Sequence, residues 1–322
     1  MLSRVADAVY WMARYFERAE SVARLIDVSL HLSLDLPESD NSQWAALVAT
    51  TGDDELFRTL HGDAGATREQ VLEFLTFDLA YPNSMLSSLR RARENARSVR
   101  EIISSEMWEH LNRTYLKVSE AARARHEPRA ADPYAVYTAV KQASALFVGL
   151  TYLTMTHNEA WHFGHLGRVL ERADKTSRIL DVKYFLLTLG RTDAAALVET
   201  QWAALLRSAS ALEMYRKRHG LIEPARVIEF LMLERDFPRS TAHCLAAADQ
   251  SLHAISGTPV GSTASEAERT LGRLRAQFEG ADASEIIGQG LHGYLDDFQQ
   301  QLNVVGTAIA TTFFAAPAGE DV

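Results

Sequence analysis

Arg14-Tyr15-Phe16-Glu17-Arg18-Ala19-Glu20, continued by Arg24 and Asp27, recurs 154 residues later as Arg168-Val169-Leu170-Glu171-Arg172-Ala173-Asp174, continued by Arg178 and Asp181. Both copies read R-x-x-E-R-A-[E/D]-x-x-x-R-x-x-D. Around the first copy, apolar residues fall at helical spacing: Val5, Val9, Met12, Phe16, Ala19, Val22, Ile26 and Leu30. The motif therefore lies on a long amphipathic helix, predicted to run to about residue 34, before Pro37. On that helix Glu20–Arg24 and Asp174–Arg178 are i,i+4 pairs with the acid first, the favourable order. Arg14–Glu17 and Arg24–Asp27 are i,i+3. Exposed pairs of this kind contribute only about 0.3–0.5 kcal/mol each, too little to account for a constellation of six charged residues occurring twice. A buried interhelical network, with Glu17 meeting Arg172 and Glu171 meeting Arg18, accounts for it better, because bidentate Arg–carboxylate geometry is specific.

The repeat extends outward from the motif. Trp44-Ala45-Ala46-Leu47 matches Trp202-Ala203-Ala204-Leu205, and Phe57-Arg58 matches Tyr215-Arg216, both at an offset of 158. Val71-Leu72-Glu73-Phe74-Leu75 matches Val227-Ile228-Glu229-Phe230-Leu231 at an offset of 156. Three blocks in one order, with nearly constant offset, point to two copies of one helical unit. The expectation is an all-α, internally duplicated long-helix bundle. Its halves, 1–155 and 156–322, would be related by a pseudo-twofold and form one compact unit around the two motif helices. The remaining helices are expected over 44–51, 54–60, 67–79, 84–104, 106–125, 134–155, 158–189, 193–207, 209–219, 223–234, 239–255, 265–279 and 284–314. Residues 62–65 and 126–133 read as linkers. Strict alternation with hairpin turns is absent, so no sheet is expected.

Composition limits the function classes. The chain has 322 residues, 47% of them hydrophobic and 23% charged, ordinary for a globular protein. A formal net charge of −9 gives no bulk attraction for nucleic acid or anionic membrane. One cysteine, Cys244, excludes an intrachain disulfide and a Cys-based zinc site. The mainly apolar parts of 142–156 and 299–319 run about 13 residues, short of the roughly 20 that span a bilayer. Charges at Asp7, Arg14 and Glu17 interrupt any leader-like segment. The expectation is a cytoplasmic protein without membrane spans; self-association is compatible with these features and none demands it.

Other constellations are weaker. Arg90, Arg93, Arg97 and Arg100 are spaced to share one helical face, with Arg91 at its edge. The stripe could dock an anion or an acidic partner; otherwise it is a solvated face paired to Glu94 and Glu101. The corresponding segment of the second half, 246–255, lacks these arginines. Glu159-x-x-His162 resembles half of a dimetal-carboxylate motif, but no second E-x-x-H accompanies it. His162 and His165 share a face and could hold a metal; the reading adopted is no metal and no cofactor. No nucleophile elbow or phosphate loop is present.

The N-terminal run Met1-Leu2-Ser3-Arg4-Val5-Ala6-Asp7-Ala8-Val9-Tyr10-Trp11-Met12-Ala13 leading into the first motif, and Trp161-His162-Phe163 leading into the second, resemble the bacterial alpha-E family. That family is all-helical, of about this length, and named for its helices and Glu-Arg motif. Arg90-Arg91-Ala92-Arg93-Glu94-Asn95-Ala96-Arg97 belongs to the resemblance, which covers essentially the whole chain. Ala13 departs from it where glycine is expected; Gly167 keeps the glycine in the second copy. The resemblance implies a role beside a circularly permuted ATP-grasp ligase and a transglutaminase-like protein, whose genes typically neighbour the family's. An accessory helical partner of ATP-dependent amide-bond formation is the leading expectation. The rival is an enzyme of peptide-type metabolism with Glu17, Arg18, Glu171 and Arg172 lining a polar pocket.

Overall fold

The structure is a computed structural model, describing residues 1–33, 42–62, 65–125, 133–189 and 195–315. Among these residues it is all-helical, with no strand. The first half contains α1 (Ser3–Ser33), α2 (Ser42–Thr51), α3 (Asp54–His61), α4 (Arg68–Thr76), α5 (Met85–Ser98), α6 (Ser105–Ala124) and α7 (Pro133–Thr154). The second contains α8 (Glu159–Leu189), α9 (Ala195–Ser208), α10 (Leu212–His219), α11 (Pro224–Leu233), α12 (Thr241–Ser256), α13 (Glu266–Glu279), α14 (Ala283–Gln289) and α15 (Leu291–Ile309). A π-helical turn, Ala310–Phe314, closes the described chain. None of these helices is long and apolar enough to cross a membrane. The expected linkers at 62–65 and 126–133, the stops at Pro37 and Gly190, and the start of a helix at Asp193 fall partly or wholly outside the described residues.

Helices α1 and α8 form the axis of the bundle. The apolar stripe of α1 is buried from Val5 to Leu30, because its residues recur on one face at 3.6-residue spacing. Along α8, Phe163, Leu166, Leu170, Ala173 and Leu180 are buried in the same way. The two helices cross closely at Gly167. A Cβ built there would lie 2.4 Å from the Tyr10 carbonyl oxygen and 3.0 Å from Tyr10 Cδ2. Only glycine lets the backbones approach so far. Around the axis, α5 and α7 pack on α1 as α12 and α15 pack on α8. Helix α2 reaches across to α8, and α9 to α1.

Side clusters recur in the same way. Phe57 meets Phe74 edge-on at 5.1 Å and Phe74 stacks on Tyr81 at 4.0 Å. Tyr215 meets Phe230 edge-on at 5.6 Å, and Phe230 lies against Phe237 at 4.8 Å. His61 covers the first set and His219 the second. Ser84 and Ser240 each cap the following helix, accepting from Ser87 and His243 backbone N–H groups at 3.1 Å. Each cap satisfies a donor that the first turn leaves unpaired.

Two expected helices are broken. The one expected over 84–104 stops at Ser98. Ser104 instead caps α6, accepting from Met107 N at 3.2 Å, so residues 99–104 form the turn between the two helices. The helix expected over 284–314 is split at Gly290, whose φ of 98° is left-handed.

Candidate functional site

The crossing of α1 and α8 carries the charges of both motifs. Arg172 grips Glu17 with two prongs, Nε to Oε1 at 2.6 Å and Nη2 to Oε2 at 2.9 Å. Arg18 grips Glu171 likewise, at 2.6 and 3.0 Å. Each glutamate is thus held by the arginine of the other motif. Both carboxylates are buried, Glu17 at 2% and Glu171 at 0% exposure. Arg14 Nε donates to Glu171 at 3.0 Å, and Lys175 stands 3.6 Å away. Arg239 Nη1 lies 3.7 Å from Glu17 and Arg239 Nη2 donates to Glu20 at 2.7 Å. Glu20 also pairs with Arg24, and Asp174 with Arg178 at 3.0 Å and Lys175 at 2.9 Å.

The outer ends of the motifs tie down neighbouring loops. Arg24 donates to the Ser210 hydroxyl, and Arg178 to the Thr51 carbonyl at 3.4 Å. Ser210 and Gly52, 158 positions apart, both have positive φ, 52° and 77°. Asp27 pairs with Lys141 at 2.6 Å, and Asp181 with His292 at 2.7 Å.

Burial alone would push the Glu17 carboxyl up, but the charge and hydrogen bonds of Arg172, with Arg239 and Arg168 beyond, hold it down at about 2. Burial opposes ionisation of Glu171 too, and Arg18, Lys175 and Arg14 outweigh it and keep it well below the carboxylate range. Both carboxylates are thus held ionised near neutral pH by their arginine partners. Arg168 is the odd member. Its Nε is buried and has no hydrogen-bond partner among the described residues. Burial, then repulsion by Arg172, pull its guanidinium down to about 10.

The four arginines of the stripe have different surroundings, with Arg90, Arg97 and Arg100 exposed and Arg93 half-buried. Arg93 turns inward, donating to Asn112 at 2.6 Å and lying over the Tyr115 ring at 5.2 Å. Arg97 pairs with Glu94 at 2.6 Å. Arg100 falls beyond the end of α5, since the turn at 99–104 rotates it off the face, and it lies over Trp108 at 5.1 Å. Arg90 is exposed, and Arg91 reaches Tyr15 Oη at 3.2 Å. Glu94, rather than Glu101, takes the pairing. His165 stacks on Trp161 at 4.8 Å and its Nδ1 lies 2.8 Å from the Ser251 hydroxyl. Among the described residues no group of three His, Cys, Asp or Glu side chains is placed to hold a metal ion.

A cavity of about 400 Å³ opens beside the crossing. Arg14 and Arg18 line it from α1, with Tyr10 and Trp11. Leu170 and Asp174 line it from α8, and Asn303, Gly306 and Thr307 from α15. Phe314, in the π-helical turn, also lines it and lies 5.3 Å from the Tyr10 ring. Sequence reasoning did not find this cavity, because its third wall comes from a helix far from either motif. It also missed Arg239, although the repeat register offered a signal. Arg239 occupies the position matching Asn83, and Asn83 Oδ1 accepts from Arg18 Nη1 at 2.6 Å. Both residues precede a capping serine and touch the motif.

These features define an all-helical protein whose two longest helices are locked by crossed Glu–Arg pairs. The chain belongs to the Alpha-E family, described as a predicted alpha-helical domain with a conserved ER motif, which matches residues 1–314. It is similar to uncharacterized proteins of Mycobacterium bovis and Mycobacterium tuberculosis, each 24% identical over 339 residues. The match covers 98% of this chain and 37% of each relative, so the chain spans well under half of their length. No solved structure shows significant similarity to it.

Proposed function

We propose that the chain is a non-catalytic helical partner in the cytoplasm, serving an ATP-grasp amide ligase and a transglutaminase-like protein in making a peptide or peptide-like product. The observation carrying this reading is that both motif glutamates are buried and doubly gripped, so the groups an enzyme of this pocket would use are committed to structure. The relatives support it as well: in them the matched region is one part of a longer protein, as expected of a module that works beside another activity. We also read the fold as two copies of one unit. That reading is supported by the reciprocal Glu–Arg grips, the matching aromatic sets and the paired positive-φ residues Gly52 and Ser210. In it, the motif is the bolt between the halves, and the surfaces away from the bolt are free to receive the partner.

The test is co-purification of the tagged chain with an ATP-grasp ligase and a transglutaminase-like protein from the same genome. ATP-dependent amide formation would then be assayed with and without the chain. Association, and ligase activity that depends on the chain, are expected. No association, with unchanged ligase activity when the chain is omitted, overturns the proposal.

A further inference from the structure

The cavity beside the crossing has features that the bolt does not need. Gly306 sits in the interior of α15, where glycine costs about 1 kcal/mol relative to alanine. Its φ is not left-handed, and a Cβ there would meet only Arg14 Nη1, at 3.8 Å. Neither backbone conformation nor close packing therefore requires glycine. What it does is leave the Arg14 guanidinium uncovered. Arg14 uses Nε on Glu171 and Nη1 on the Tyr10 hydroxyl. Its Nη2 has no partner among the described residues, so that nitrogen keeps its donors for something else.

The surroundings say what that would be. Among the charged residues lining the cavity, Arg14 and Arg18 face Asp174 alone, with Glu171 buried behind them. The excess is positive, which favours an anion. Asp174 also lines the cavity, and its charge opposes a ligand carrying several negative charges. Aromatic surface flanks the cation: the Arg14 guanidinium lies 5.0 Å from the Trp11 ring, which stacks on Tyr15 at 5.2 Å. Phe314 is presented by a π-helical turn, a feature that recurs at functional sites. On α15, Asn303 is exposed and its side chain makes no hydrogen bond among the described residues. A volume of about 400 Å³ lies within the range of small-molecule pockets.

We propose that this cavity binds a small monocarboxylate with an aromatic or apolar body, its carboxylate on Arg14 and its body between Trp11 and Phe314. The site is independent of the partner reading above. The isolated chain could bind such a ligand without associating with a ligase, and the reverse also holds.

The test is a ligand-observed NMR titration of the 322-residue chain with phenylacetate, phenyl phosphate and 2-phenylethylamine. Saturable binding of phenylacetate at millimolar or tighter affinity is expected, with phenyl phosphate weaker and the amine silent. Gly306→Leu, which fills the space over Arg14, is expected to weaken phenylacetate at least tenfold, and Gly306→Ala, whose Cβ stands 3.8 Å from Arg14 Nη1, to weaken it by a smaller factor. Should Gly306→Leu fail to fold, Asn303→Leu on the same wall is the second variant, with the same loss expected. No saturable binding of phenylacetate, equal affinity in the leucine variant that folds, or tighter binding of the phosphate or the amine overturns the proposal.

Discussion

Replacing Gly167 with alanine adds one methyl group where α1 and α8 are closest. That methyl would lie 2.4 Å from the Tyr10 carbonyl oxygen and 3.1 Å from Arg14 Cγ. An ordinary carbon–oxygen contact is about 3.3 Å or longer, so the helices must separate by about 1 Å. Backbone oxygen cannot swing aside as a flexible side chain would. A gap of that size forfeits roughly a quarter to a half of the dispersion attraction along the seam, and overpacking of this kind costs about 1–3 kcal/mol. The separation also stretches the Arg172–Glu17 and Arg18–Glu171 grips, now 2.6–3.0 Å long. Alanine regains about 1 kcal/mol of helix propensity, which leaves a net packing loss of up to about 2 kcal/mol, to which the stretched grips add. Gly164→Ala is the matched control, since its methyl would stand 3.4 Å from Val9 Cγ1. It is expected to be neutral or to stabilise by up to about 1 kcal/mol. Equilibrium unfolding in urea, followed by tryptophan fluorescence, measures both. Equal stability of Gly167→Ala and Gly164→Ala would mean that the close approach at Gly167 carries no packing cost.

Glu17→Gln leaves Arg172, Arg239 and Arg168 facing one another without the carboxylate. The drop of Glu17 from 4.5 to about 2 corresponds to about 3 kcal/mol, so a loss of about that size is expected in the same urea assay. A loss within about 0.5 kcal/mol would place the pair among ordinary surface pairs. Stability should also fall in acid: Glu17 and Glu268, both at about 2, and Glu171 and Asp174 are lowered in the folded state. Lowered carboxylates stabilise above their unfolded values and lose that stabilisation as pH falls through the folded ones. Unfolding free energy measured between pH 6 and 2 should therefore decline below about pH 4.5, and a flat profile there would contradict the cited shifts. Burial pushes the Cys244 thiol up to about 12, so the native chain should resist Ellman's reagent at pH 8 and react fully once unfolded; rapid native labelling would contradict it.

The helical architecture is legible because the apolar period is unbroken over thirty residues of α1 and has few competitors elsewhere. Helix ends are legible where a serine or threonine stands before a run, as at Ser84 and Thr67. They are misread where such a residue lies inside an apparently continuous pattern. Ser104 could be taken for a tolerated interior residue, and only the turn at Val99, whose N–H bonds to Ala96 O, makes it a cap. Gly290 is similar, because nothing in its neighbours announces a left-handed φ. The Glu17–Arg172 crossing follows from two copies of one charged motif on helices that must share a core. Arg239 was harder to see, since it approaches Glu20 from a segment 219 residues away. The cavity depends on a void left by Gly306, and a glycine in a helical pattern does not reveal which side chain it uncovers. Periodicity placed Arg100 with Arg97, but a helix that stops two residues earlier separates them.

Each motif's glutamate belongs to the other motif's arginine. Double-mutant cycles on urea-unfolding free energies measure this directly, using Glu17→Gln with Arg172→Met, Glu171→Gln with Arg18→Met, and Glu17→Gln with Arg18→Met as the same-helix control. Adjacent residues on a helix do not face each other. Coupling of about 1.5–3 kcal/mol is expected for the two crossed pairs, and within about 0.5 kcal/mol of zero for the control. Strong coupling within Glu17–Arg18, with none across α1 and α8, would contradict it.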